Sequence, residues 1–301
     1  MVTVKLAGRY EVVQELTGHG LVRVFRVVDT KDNLSLLIKT MPVSDEYMED
    51  FIRFQEEGAL ITTLDHPNIW KVFGTFIDEG VSCIVLEVVE GPTLGEVLRQ
   101  GRAPLAWVQS IALQIAGALA YAHSRGIIHR DLEPENIVIA DGNRVKLRAM
   151  AELGVARVVK GAALPVPTTT LDRRFSPYAS PEQRQGRTVD ARTDVYSLGA
   201  LMYHMISGFP PFDNAQGTTG FTFPDDVPIE WQGLIARAMA RNERYRFSTM
   251  AEMGEAIARL PTPGTSSMQF QVPVPTRRCP RCGREGKGQF CPQCGTKLPQ
   301  Q

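Results

Sequence analysis

The chain has 301 residues, 43% of them hydrophobic and 22% charged, which is enough for a two-lobed domain plus a small appendage. Lys+Arg and Asp+Glu both total 33, so no global field directs it to nucleic acid or to an anionic membrane. The longest helix-like apolar stretch, IALQIAGALAYA at 111–122, is short for a bilayer span, and no signal peptide opens the chain; a cytoplasmic protein is expected.

Strands come first. YEVVQEL (10–16), LVRVFRVVD (21–29) and LSLLIKTM (34–41) are rich in β-branched residues and separated by polar turns. A helix is predicted from about Asp45 to Leu64, because Phe51, Phe54, Gly58, Ile61 and Leu64 recur at spacings of three and four. Two further strands follow in KVFGTFI and VSCIVLEVV. Within the latter, Cys83 reads as a small buried hydrophobe.

From about Gly91 the pattern turns helical. Leu105, Val108, Ala112, Ile115, Leu119 and Ala122 make one apolar face. Strands followed by helices predict an α+β fold with a small sheet lobe (about 1–89) and a larger helical lobe (about 90–260). Residues 261–278 carry four Pro without periodicity and read as an extended linker. No internal repeat is found.

Four of the five Cys fall after this linker, as Cys279-Pro-Arg-Cys282 and Cys291-Pro-Gln-Cys294. Two C-x-x-C pairs, each followed by Gly, fit a Cys₄ zinc ribbon over 279–297 in which each pair chelates from a tight turn. Disulfides are the alternative, and the cytoplasmic reading disfavours them. Four thiolates without a fifth donor point to a closed, structural site. Six Lys/Arg against one Glu in 277–297 leave nucleic-acid binding open, behind protein docking or a purely structural role.

The motifs in 8–260 resemble, in order, those of the protein kinase superfamily, most closely the bacterial members of the eukaryotic-like Ser/Thr type. LLIK (36–39) is similar to the V-A-I-K strand, with Lys39 in the phosphate-holding position and Glu57 as its ion-pair partner. HPNI (66–69) resembles the loop leaving that helix. LEVVEG (86–91) resembles the hinge, with Leu86 as gatekeeper and the Glu87 and Val89 backbone toward an adenine. HRDLEPEN (129–136) resembles the catalytic loop. The resemblance implies Asp131 as acceptor of the substrate hydroxyl proton and Asn136 as a metal ligand. His129, Arg130 and Asp194 take family structural positions, and Glu182 of SPEQ would pair with Arg246. Ile61, Val72, His129 and Leu153 match the family's hydrophobic column.

Several positions depart from that pattern. Aligned on Val24 and Asp29, Thr17, His19 and Val22 stand where the phosphate loop has glycines; shifting by one recovers Gly18 and Gly20 but leaves Arg23 at the third. Leu37 replaces the Ala that roofs the adenine, adding three carbons to a tight slot. Glu133 replaces the Lys that neutralises the transferred phosphoryl group. At 4 Å a like-charge pair costs on the order of 1–4 kcal/mol. The metal-binding D-F-G becomes Ala149-Met150-Ala151 without a gap. With a three-residue insertion, the better-phased version, it becomes Glu152-Leu153-Gly154.

These departures argue against ATP and Mg²⁺ as cofactors and favour a pseudokinase that serves as a signalling scaffold through protein partners. The alternatives are an active or atypical Ser/Thr kinase and a nucleic-acid-associated regulator acting through the ribbon. Thr168, Thr169 and Thr170 read either as an exposed loop or as a segment whose phosphothreonine would pair with Arg130 or with Arg173 and Arg174.

Overall fold

The computed structural model describes residues 5–19, 21–148, 176–211, 221–262, 277–286, 291 and 298. The chain divides into two compact units, one containing residues 1–92 and the C-terminal segment, the other the helical region.

The first unit is built on a six-stranded antiparallel sheet ordered β1-β2-β3-β4-β6-β5. Its strands are β1 (Lys5–Leu6), β2 (Tyr10–His19), β3 (Val22–Asp29), β4 (Leu34–Pro42), β5 (Val72–Asp78) and β6 (Val81–Glu87). Side chains alternate across the sheet. Tyr10, Val27, Leu36, Ile38, Cys83 and Val85 form a buried cluster on one face. Helix α1 (Met48–Thr62) covers the other, entered through a single 3₁₀ turn at Asp45–Tyr47. Its approach is close: a Cβ on Gly58 would stand 2.7 Å from Thr75 Cγ2 and 3.0 Å from Ile84 Cδ1. Phe54, Ile61 and Leu64 are buried, as their spacing predicts.

The second unit contains α2 (Leu94–Leu98), α3 (Leu105–Ser124), α4 (Pro181–Arg184), α5 (Arg192–Ser207), α6 (Ile229–Ala238) and α7 (Met250–Ala258). The 20-residue α3 is long and apolar enough to cross a membrane by composition. Here it is a core helix, with Val108, Ala112, Ile115, Leu119 and Ala122 fully buried, and it lies against α5, α7 and β8 (Arg144–Leu147). Strand β8 pairs with β7 (Ile137–Ala140), a hairpin inside the region that the sequence reads as helical. Asp141 and Gly142 turn it with φ of 47° and 85°. Gln114 on α3 anchors it, accepting from the Val145 N–H and donating to the Asn143 carbonyl. IVIA is buried on both sides, so it lacks the alternation that marks a half-exposed strand.

Candidate functional site

The geometry of the second unit starts from one buried carboxylate. Asp194, in the first turn of α5, is fully buried. It accepts the backbone N–H of His129 and of Arg130, both at 2.8 Å, and stands 2.7 Å from His123 Nε2. Burial pushes its pKa up, yet the hydrogen bond and charge of His123, the charge of His129 and the His129 N–H together hold it below the ordinary carboxylate value. This clamp bends the chain sharply, with Arg130 at φ 60°, a conformation that costs a non-glycine residue energy. A second brace comes from Gln183, whose amide donates to the Arg130 carbonyl at 2.6 Å.

The clamped turn delivers Asp131. Asn136, buried in a short 3₁₀ turn, donates from Nδ2 to Asp131 Oδ2 at 2.9 Å and to its carbonyl at 3.0 Å. An acceptor carboxylate is thus fixed beside an amide whose own oxygen remains a ligand atom, an arrangement suited to receiving a hydroxyl proton. Glu133 lies between the two in the chain, half-buried, and its backbone carbonyl accepts from the Asn136 N–H at 3.0 Å. Burial, followed by the charges of Glu135 and Glu133, raises the pKa of Tyr178. Glu133 therefore adds a negative field to this loop where the resemblance asks for a positive one.

Glu182 and Arg246 meet in a bidentate pair, at 2.6 and 2.7 Å, both buried. Thr193 donates to the same carboxylate at 2.9 Å, and Arg246 also donates to the carbonyls of Ala240 and Arg192. Burial pushes the Glu182 pKa up, but the hydrogen bond and charge of Arg246, with a backbone hydrogen bond and the Thr193 hydroxyl, leave it below the ordinary carboxylate value. Ser180 caps α4 through a reciprocal box with Gln183, so the helix start and the Arg130 brace share a residue. Beside it, Tyr178 hydroxyl and His204 Nδ1 are 2.6 Å apart, and burial lowers the His204 pKa to about 4.

In the first unit, Lys39 lies on β4 between Val24 and Ile84, on the α1 face of the sheet. Two residues earlier on the same face, Leu37 is flanked by Arg26 and Leu86, and Leu86 by Val72. Arg26 donates to Ser35 Oγ at 3.0 Å and reaches Glu90 at 3.7 Å. A row of Arg26, Leu37, Leu86 and Val72 thus occupies this face. Thr17 pairs with Val24 and His19 with Val22, so the β2–β3 ladder continues to His19 and Val22. Glu87 is tied to Lys71: its N–H donates to the Lys71 carbonyl, and its carboxylate accepts the Lys71 N–H at 2.8 Å. Val89 follows in half-buried coil. The Glu57 side chain, Glu152 and Thr168–Thr170 lie outside the described residues.

At the C-terminus, β9 (Arg277–Arg278) pairs with β10 (Glu285–Gly286) around the first C-x-x-C. The turn closes through Cys279 N–H to the Arg284 carbonyl and Gly283 N–H to the Cys279 carbonyl, with Gly283 at φ 72°. The sulfurs of Cys279, Cys282 and Cys291 lie within 4.8 Å of one another, Cys282 and Cys291 at 3.4 Å. Zn–S bonds of about 2.3 Å in a tetrahedron set sulfur–sulfur edges near 3.8 Å. The three donors therefore fit such an ion. Cys294 lies outside the described residues.

Sequence reasoning missed His123 as the third partner of Asp194, the Arg26–Glu90 link, and Leu298, which is buried against Cys279 and Cys291. The partners of His123 and Arg26 are distant in the chain, and a lone Leu298 after the second C-x-x-C carries no periodic signal.

A lysine-bearing sheet lobe and a helical lobe whose Asp–Asn loop hangs on a buried Asp define a bilobal, kinase-type domain. A protein kinase domain model matches residues 10–253, and the chain belongs to the protein kinase family. The serine/threonine-protein kinase PknL of Mycobacterium bovis is 33% identical over 288 residues, covering 90% of this chain and 70% of that protein. A probable serine/threonine-protein kinase of Streptomyces coelicolor is 30% identical over 83% of this chain, which spans only 39% of that relative's length. The PknI kinase domain of Mycobacterium tuberculosis superposes with a TM-score of 0.64 at 26% identity, covering 85% of this chain and 97% of that domain.

Proposed function

We propose that this member of the Ser/Thr kinase family is a pseudokinase, a regulator or scaffold that works through protein partners, with zinc held by Cys279, Cys282, Cys291 and Cys294. The observation that carries this reading is the row on the Lys39 face. Leu37 sits directly beside Leu86, with Arg26 on its other side, where the family resemblance would place an adenine. A Leu in place of the family's Ala narrows the slot that a flat ring would have to enter, and overpacking of that order is costly. Glu133 adds to it, since phosphoryl transfer relies almost wholly on positioning and positive charge.

One observation favours the second reading, an active Ser/Thr kinase: Asp131 and Asn136 keep their mutual hydrogen bond on the Asp194 clamp. A transfer assay separates the two. With labelled ATP, Mg²⁺ and a basic protein substrate, the wild-type chain stays at background, and so does Glu133→Lys, because parts that act as a unit are not restored singly. Robust transfer by the wild type supports the second reading.

The metal reading is checked by elemental analysis of protein purified without added metal, which should find close to one zinc per chain. In Cys291→Ser the metal is lost, while the melting transition of the kinase domain stays in place. Zinc-free protein with disulfides in its peptide map contradicts it.

A further inference from the structure

The three described sulfurs of the C-terminal module are not equivalent. Cys279 and Cys291 are 2% and 0% exposed, and Leu298, at 1%, is buried with them. Cys282 is exposed, yet its sulfur is 3.4 Å from that of Cys291. Of the three, Cys282 is thus the exposed residue, and the buried Cys291 has its sulfur within reach of it. The remaining free thiol in the sheet lobe, Cys83, is buried, and burial pushes its pKa up to about 12, so it stays a protonated, inert thiol.

We propose that Cys282 is the oxidation-sensitive sulfur of this centre and that Cys291 is its resolving partner, a pair that reads hydrogen peroxide and unloads the module. The pairing rests on the placement of the sulfurs, and only the unloading depends on the metal reading above. The chemistry balances with peroxide as the oxidant. The Cys282 thiolate attacks one peroxide oxygen; an S–O bond forms, the O–O bond breaks and hydroxide leaves, giving a sulfenic acid. The Cys291 thiolate then attacks Cys282 Sγ; the S–S bond forms, the S–O bond breaks and a second hydroxide leaves. Two electrons pass from the two thiolates to peroxide. Attack by Cys291 needs no solvent path, since its target is already adjacent. With two thiolates consumed, the remaining donors are too few for a four-coordinate site. Leu298 is a positioning residue: it keeps Cys279 and Cys291 out of the first encounter.

The test uses the full chain, purified under nitrogen in reductant, with its zinc content measured first. Substoichiometric N-ethylmaleimide followed by peptide mass mapping should label Cys282 about tenfold or more faster than Cys279 and Cys291, as access governs thiolate reactivity, and should leave Cys83 unlabelled. With hydrogen peroxide, the first disulfide should join Cys282 to Cys291, and zinc should appear on a chromogenic chelator in step with it. Leu298→Ala should speed labelling of Cys279 and Cys291 and leave Cys282 unchanged. Equal labelling of the three, or a first disulfide involving Cys279 or Cys294, overturns the proposal. Protein that arrives without zinc refutes the metal reading, while labelling order and disulfide identity still decide this one.

Discussion

Two regions of this kinase domain have kept different things. The helical lobe retains a complete polar frame: Asp194 clamps His129 and Arg130, Asn136 holds Asp131, and Glu182 is paired with Arg246. The Lys39 face of the sheet lobe retains its lysine, between Val24 and Ile84, next to a row made of Leu37, Leu86 and Arg26, which reaches Glu90. The difference follows from what each group would cost to lose. A buried charge stripped of its partner destabilises the whole domain, so frame residues cannot change singly. An apolar side chain on the sheet face, such as Leu37, has no such tie. The catalytic loop therefore has its architecture preserved by folding, whatever its chemistry.

The largest expected effect breaks the frame. Arg246→Met leaves the Glu182 carboxylate buried with only the Thr193 hydroxyl among its described side-chain donors. Removing one partner of a buried pair typically costs about 3–5 kcal/mol. For a domain of this size that is roughly 6–20 °C in Tm by calorimetry. A loss below about 1 kcal/mol would show that the pair is a surface-like contact and dissolve the contrast between the regions.

A smaller effect comes from pH. His204 stays neutral down to about 4 because burial opposes its charge, whereas the unfolded chain takes up that proton near 6.5. Between those values the unfolded state binds more protons, so stability falls as pH falls. Partial exposure screens the effect, leaving on the order of 2 kcal/mol across that window. Denaturant titrations at pH 7.5 and 5 should show His204→Gln, which keeps an acceptor for the Tyr178 hydroxyl, losing less than the wild type. Equal losses would place His204 in contact with water and the Tyr178 brace outside the frame.

How much was legible beforehand divides along the same line. The motifs that place Lys39, Asp131, Asn136, Asp194, Glu182 and Arg246 are readable in order through their resemblance to the kinase family, and the α1 and α3 faces through local spacing. The β7–β8 hairpin escaped, since IVIA is buried on both sides and its alternation is erased; the signal was Asp141-Gly142 between two short apolar runs. His123 escaped for another reason: it meets Asp194 across 71 residues of chain, and nothing near it announces an acceptor. Leu37 was legible as a Leu where the family has Ala, but its alignment with Arg26 and Leu86 is a property of strand register, which only the folded sheet supplies.

The central claim is that the frame has outlived nucleotide use, and the smallest expected effect tests it most directly. If Leu37 takes the place of an adenine, as proposed, MgATP affinity should be millimolar or weaker. Ligand at five times its dissociation constant stabilises by about 1 kcal/mol, which is roughly 2–4 °C in Tm for a domain of this size. A melt of the wild-type chain in about 5 mM MgATP should therefore move by no more than about 3 °C. Mg²⁺ should add nothing to ATP alone, and Leu37→Ala should enlarge the response. A wild-type shift well above this, dependent on Mg²⁺ and abolished in Lys39→Ala, would contradict the claim and establish a working nucleotide site.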